Sequence, residues 1–144
     1  RATLTLVALS LLAGLSGSCA SRHEDHAILV QWSATYNGPA NSNDLGEGVA
    51  VDGSGNVYVT GYESRSDLRQ DFNIWVRKHD PNGGTLWTAT YNSPANGADQ
   101  GRGIAVDGNG NVYVTGSEDR SDLGQAHNIL VRAWSQGTST GGTR

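Results

Sequence analysis

The sequence predicts an all-β chain made of two four-stranded repeat units. Three observations lead there. Aligned without a gap at an offset of 55 residues, Trp32 to Arg77 matches Trp87 to Arg132 at roughly seven positions in ten, the mark of a repeat architecture. Short runs of β-branched and aromatic residues alternate with clusters of Gly, Asn and Asp, which is the pattern of strands joined by tight turns. Twenty glycines, no methionine and a mean hydropathy of -0.44 leave few stretches able to carry a long helix.

Taken from the N-terminus, "RATLTLVALSLLAGLSGSCAS" sets an arginine ahead of an apolar run, Leu4 to Leu15, that ends in small residues before Cys19. This is the layout of a secretory signal peptide, and the run is too short to span a bilayer as a mature helix. "LSGSC" (Leu15 to Cys19) resembles the lipobox of bacterial lipoproteins, with Ser16 standing where that motif has leucine. The resemblance implies cleavage before Cys19 and lipidation there. Ordinary cleavage within "SCA" (Ser18 to Ala20), leaving a freely secreted protein, and a retained N-terminal anchor are the alternatives. The absence of methionine leads us to expect that Arg1 is not a translated start. Residues 1–19 therefore read as the signal and 20–27 as a polar tether. In that tether His23 and His26 flank Glu24 and Asp25, but nothing fixes a metal geometry around them.

The repeats occupy 28–134, with units at about 32–86 and 87–134. "ILVQWSATYN" (Ile28 to Asn37) is expected to be an outer strand. "GVAVD" (Gly48 to Asp52) and "NVYVTG" (Asn56 to Gly61), joined through Gly-Ser-Gly, read as a hairpin. "FNIWVRK" (Phe72 to Lys78) is a third strand, with Ile74 and Val76 on one face and Trp75 and Arg77 on the other. "DPNGG" (Asp80 to Gly84) is a turn, and "TLWTATYN" after it is a fourth strand that places Trp87, Ala89 and Tyr91 together. Four antiparallel strands per unit is the count of a β-propeller blade. The final residues, 135–144, leave the repeat and have the composition of disorder.

The run of "GxGVAVDGSGNVYVTG" after Asp44 and the later "NIWVRKHDPNGGTLW" closely resemble the bacterial β-propeller repeat called SBBP, and the "VDGxGNVYVTG" core occurs twice. The resemblance covers about Ile28 to Trp134. It implies an exported, often surface-associated propeller with more than two repeats, and it brings no shared catalytic residues. Two blades do not close a ring, so a partial propeller is expected, the front of a longer one. The last unit ends after its third strand, "HNILVRAW", and the N-terminal strand is the one that would complete it. Rings built from several two-bladed chains, and hence a homo-oligomer, are the alternative.

Composition and motif spacing exclude several classes. The formal net charge is -4, and the ten basic residues are scattered and not gathered on a stripe or patch, which argues against nucleic acid as a partner. One cysteine permits no intrachain disulfide and no four-cysteine zinc site. "DGSGN" (Asp52 to Asn56) and "DGNGN" (Asp107 to Asn111) lack the alternating carboxylates and distal glutamate of a calcium loop and read as hairpin turns. "GEGVAV" from Gly46 lacks the third glycine and the following helix of a dinucleotide fingerprint. No cofactor or metal is expected.

Asp44 and Asp99, Asp52 and Asp107, and the two "RSDL" segments recur at matched places, which assigns them to structure, because catalysis needs one asymmetric site. The positions that differ, Arg69 against Gly124, Phe72 against His127 and Trp75 against Leu130, compose no nucleophile, base and orienter. The chain is therefore expected not to be an enzyme but an exported scaffold or binding module for protein or glycan at the cell surface. Trp32, Tyr36, Trp87 and Tyr91 are expected to pack between blades. Their sharper reading is as candidate ligand contacts, the stacking platforms of an oligomeric lectin. A fragment of a larger propeller hydrolase or lyase is the third reading.

The anchor is directly testable. Expressed with its own leader in a bacterium fed radiolabelled palmitate, the chain is expected to carry label in the membrane fraction, and Cys19→Ala to lose it, because stable anchoring needs more than one acyl chain. Unlabelled protein beginning at Ser21 would exclude lipidation.

Overall fold

The computed structural model describes residues 28–135 of the 144-residue chain. Seven strands follow in order: β1 (Asp44–Val51), β2 (Val57–Ser64), β3 (Phe72–His79), β4 (Thr85–Tyr91), β5 (Gln100–Val106), β6 (Val112–Asp119) and β7 (His127–Trp134). They form two antiparallel sheets, one of four strands in the order β1-β2-β3-β4 and one of three in the order β5-β6-β7. This is an all-β partial propeller, as the repeat predicts. The strands run longer than their most apolar stretches suggest: β1 starts at Asp44 and is bulged between Gly46 and Gly48, and β5 is bulged at the matching Gly101 and Gly103.

The hairpin turns form as their residues require. Asp52 N–H donates to the Asn56 carbonyl at 3.1 Å and Gly55 N–H to the Asp52 carbonyl at 3.0 Å, with Gly55 at φ +80°, a left-handed conformation that favours glycine. The second unit repeats this through Asp107, Asn111 and Gly110. The "RSDL" segments become single 3-10 turns, Ser66–Leu68 and Ser121–Leu123, each followed by a left-handed residue, Arg69 (φ 58°) in the first and Gly124 (φ 69°) in the second.

Strand alternation gives each sheet a front and a back. On the back of the first sheet the registers Thr60↔Val76, Tyr58↔Lys78 and Ile74↔Tyr91 set Tyr58, Thr60, Ile74, Val76, Trp87 and Tyr91 side by side. On the front of the second, Ile104↔Val114 and Val106↔Val112 do the same. These two faces meet. Tyr58, Ile74, Val76, Val112 and Val114 form the fully buried core, with Trp87, Tyr91, Ile104, Val106, Leu130 and Trp134 packed around it. Each such side chain contributes roughly 1.5–3 kcal/mol on burial. The core of the described residues therefore lies between the sheets and not within either one. Backbone bonds from Asp99 N–H to the Phe72 carbonyl (2.7 Å) and from Asp71 N–H to the Asn96 carbonyl (3.1 Å) tie the units at one end.

One expected element is corrected. Ile28 to Asn37 is not a strand: no ladder contains it. Its counterpart β4 is a strand because it pairs with β3, whereas no described strand pairs with 28–37. The segment is held instead by side chains. The Trp32 indole N–H donates to the Pro81 carbonyl at 3.1 Å and its ring lies 5.7 Å from that of His79, while Tyr36 stacks on Trp75 at 4.9 Å.

Placement in this core separates residues of similar character. Ile74→Ala is expected to lower stability by about 2–5 kcal/mol, whereas Leu68→Ala, at an exposed position of the first 3-10 turn, stays within about 0.5 kcal/mol of the parent. Urea unfolding followed by tryptophan fluorescence distinguishes the two.

Candidate functional site

The carboxylates that recur at the repeat spacing have the same partners in both units. Asp52 Oδ1 accepts from the backbone N–H groups of Ser54 (2.9 Å) and Asn56 (3.0 Å), and its Oδ2 accepts from Asn56 Nδ2 (2.8 Å) and the Tyr58 hydroxyl (3.0 Å). Asp107 repeats every one of these bonds with Asn109, Asn111 and Tyr113. The side-chain bond from Asn56 is the largest influence holding the Asp52 carboxyl down at about 2, and the bond from Asn111 likewise holds Asp107 below the ordinary range.

Asp44 and Asp99 staple the loop before the inner strand to the end of the second strand. Asp44 accepts from Gly38 N–H (2.5 Å) and Ser64 N–H (3.1 Å), and Asp99 from Ser93 N–H (2.5 Å) and Asp119 N–H (2.9 Å). Asp99 is fully buried between the sheets, and that burial pushes its carboxyl up.

A third recurrent set escaped sequence reasoning. The Tyr36 hydroxyl donates to Glu63 Oε2 at 2.6 Å, and the Arg77 guanidinium sits 4.4 Å over the Tyr36 ring. In the second unit Tyr91 donates to Glu118 Oε2 at 2.7 Å beneath Arg132 at 4.0 Å. Burial first, and then the bond to the glutamate, raises both hydroxyls to about 12. Glu63 and Glu118 are also approached by Arg65 (3.5 Å) and Arg120 (3.7 Å), which bond Asp67 and Asp122 in the 3-10 turns. The only sequence signal for this set was its recurrence. Tyrosine and glutamate stand 27 residues apart on elements whose docking no local pattern reveals.

The four aromatic candidates are not gathered into one site. Trp87 and Tyr91 pack in the interface between the sheets, Trp87 edge-on to Tyr58 at 6.1 Å. Trp32 and Tyr36 lie on the front of the first sheet, where a cleft of about 310 Å³ opens, lined by Tyr36, Asp44, Leu45, Trp75, Arg77 and His79 among others. In it Arg77 covers Trp75 at 4.7 Å, and its Nε donates to Thr88 at 2.8 Å. The Trp75 indole N–H is buried without an acceptor among the described residues. His79 Nδ1 lies 3.1 Å from the Gly83 carbonyl. Cys19, His23 and His26 lie outside the described residues.

Two sheets of one repeat, stacked back to front, define a protein of propeller blades. A family model described as a beta-propeller repeat, SBBP, matches the chain at two places, residues 31–62 and 87–117. Each match begins near the Trp32 or Trp87 position and ends on β2 or β6, so the repeat of sequence straddles two blades of structure. No curated protein matches the chain.

The turn carboxylates predict an acid response. Because the folded-state values of Asp52 and Asp107 lie below the ordinary 3.8, their contribution is complete well above that pH and is lost as pH falls through the folded-state values, about 2 for Asp52. Urea midpoints compared at about pH 5 and about pH 2 are expected to drop less in Asp52→Ala/Asp107→Ala than in the parent, with the variant weaker at the higher pH.

Proposed function

We propose that the chain is an exported, non-enzymatic β-propeller module that serves as a cell-envelope scaffold for protein or glycan partners. One observation carries this reading. The acidic and tyrosine side chains that recur at the repeat spacing are engaged by the fold in both units: Asp52 and Asp107 close turns, Asp44 and Asp99 staple loops, and Glu63 and Glu118 receive tyrosine hydroxyls. Groups committed in the same way in two places serve each blade and not a single reacting centre. The leader-like N-terminus and Cys19 support export and envelope attachment.

The interface position of Trp87 and Tyr91 favours a scaffold over a lectin that stacks sugars on those rings. One open surface of the described residues is the front of the first sheet, where Arg77, Tyr36 and Asp44 line the cleft.

Assayed against glycosidic and ester substrates, the purified chain is expected to show no turnover above the uncatalysed rate. Robust turnover abolished by a single substitution would refute the non-enzymatic assignment.

A further inference from the structure

One Asn-Gly pair stands in a setting that the other three lack. Such a pair loses the asparagine amide when the glycine backbone nitrogen attacks the side-chain carbonyl carbon, so a glycine N–H held in a hydrogen bond is withheld from the reaction. The four pairs are Asn37-Gly38, Asn82-Gly83, Asn96-Gly97 and Asn109-Gly110. Three of the glycine N–H groups are committed: Gly38 to the Asp44 carboxylate at 2.5 Å, Gly83 to the Asp80 carbonyl at 3.0 Å and Gly110 to the Asp107 carbonyl at 3.0 Å. The Gly97 N–H has no acceptor among the described residues.

The surroundings of this pair supply the other two requirements. Asn92 Nδ2 donates to Asn96 Oδ1 at 2.7 Å, which draws electrons from the carbonyl under attack and holds the negative charge that develops on its oxygen. From the end of β6 the Asp119 carboxylate lies against Gly97, so closely that a side chain at Gly97 would collide with Asp119 Oδ2. Among the described residues that oxygen accepts from the Ser121 hydroxyl, at 3.3 Å, and keeps lone pairs for a proton. Asn96 is exposed, so water reaches it. The first unit provides the contrast. Asn41 has the same left-handed conformation as Asn96 (φ 48° and 56°) and the same bond, from Asn37 at 2.8 Å, but Ser42 follows it and Ser64 stands where the second unit has Asp119.

We propose that Asn96 is a self-modification site, deamidated by its own surroundings. The Gly97 nitrogen bonds to Asn96 Cγ while the Asp119 carboxylate takes the N–H proton. The Cγ–Nδ2 bond then breaks, the proton passes to the departing nitrogen, and ammonia leaves a five-membered imide spanning residues 96 and 97. Water opens the ring at either carbonyl, giving aspartate or an isoaspartate whose main chain runs through Cγ. The net change is amide plus water to acid plus ammonia, with no oxidant or reductant. The position gives the reaction a consequence: the Asn96 main-chain carbonyl receives the Asp71 N–H at 3.1 Å, one of the bonds that tie the two units. Isoaspartate lengthens the chain by one methylene at that tie, so the modification acts on the docking of the blades. It is independent of what the module binds.

The test incubates the full chain in mildly alkaline buffer and maps aspartate and isoaspartate at all four pairs by fragmentation mass spectrometry. Asn96 is expected to convert several-fold faster than Asn37, Asn82 or Asn109 in the folded chain, and to lose that lead in concentrated urea, where the four pairs share one unfolded setting. Asp119→Ser, which installs the residue of the first unit, is expected to slow Asn96 several-fold with an unchanged circular dichroism spectrum, and Asn92→Ala to slow it as well. Ser42→Gly gives the first unit an Asn-Gly pair in the same loop without the carboxylate, and its Asn41 is expected to react several-fold more slowly than Asn96. Another pair leading in the folded chain, a lead that persists in urea, an Asn96 rate in Asp119→Ser equal to or above that of the parent, or Asn41 matching Asn96 in Ser42→Gly would each overturn the proposal.

Discussion

Every sheet in this molecule has two faces to cover, and neither can cover them alone. That constraint organises the rest. The first sheet becomes stable where its back meets the front of the second, and the fully buried residues Tyr58, Ile74, Val76, Val112 and Val114 all belong to that meeting. A stack of this kind is quasi-one-dimensional, so stability resides in the interface between neighbours as much as in each unit. It also explains why chemically equivalent residues differ so much in environment: the chain is nearly periodic, but its burial is not.

Once the sheets stack, the polar groups at their edges need partners of their own, because an unsatisfied buried donor or acceptor costs about 1–3 kcal/mol. The repeat answers with three devices at fixed places. An aspartate closes the inner hairpin, a second ties the incoming loop to the end of the neighbouring strand, and a tyrosine reaches across units to a glutamate beneath an arginine. The third device couples consecutive blades directly, since the tyrosine belongs to one unit and its partners to the next. Where the units differ, the difference is local. Lys78 approaches Asp52 at 3.9 Å over the Tyr58 ring, and Ala133 stands in its place in the second unit, leaving Asp107 its hydrogen bonds without that cation.

Some departures from repetition fall on the front of the first sheet. Trp75 stands there where the second unit has Leu130, and His79 where it has Trp134. The cleft combines an aromatic stack, a guanidinium and a carboxylate, a mixture suited to polar partners with flat apolar parts. The same surface carries the N-terminal segment 28–37, which stands outside any ladder and is held there by Trp32 and Tyr36.

The sequence by itself determined the strands, the turns and the assignment of repeated aspartates to structure, because these depend on neighbours a few residues away: alternation along β3, Gly55 and Gly110 in left-handed turns, Asp52 reaching Asn56. It also showed that Trp87, Ala89 and Tyr91 share a face. Tertiary structure alone decided which of two identical residues is buried, since Ile74 and Ile129 sit in the same local pattern and differ only in having a neighbouring sheet. It likewise decided that Ile28 to Asn37 is not a strand and that Tyr36 and Tyr91 find Glu63 and Glu118. A ladder needs a second edge, and a cross-unit hydrogen bond needs two sheets docked; neither is a property of the segment that takes part in it.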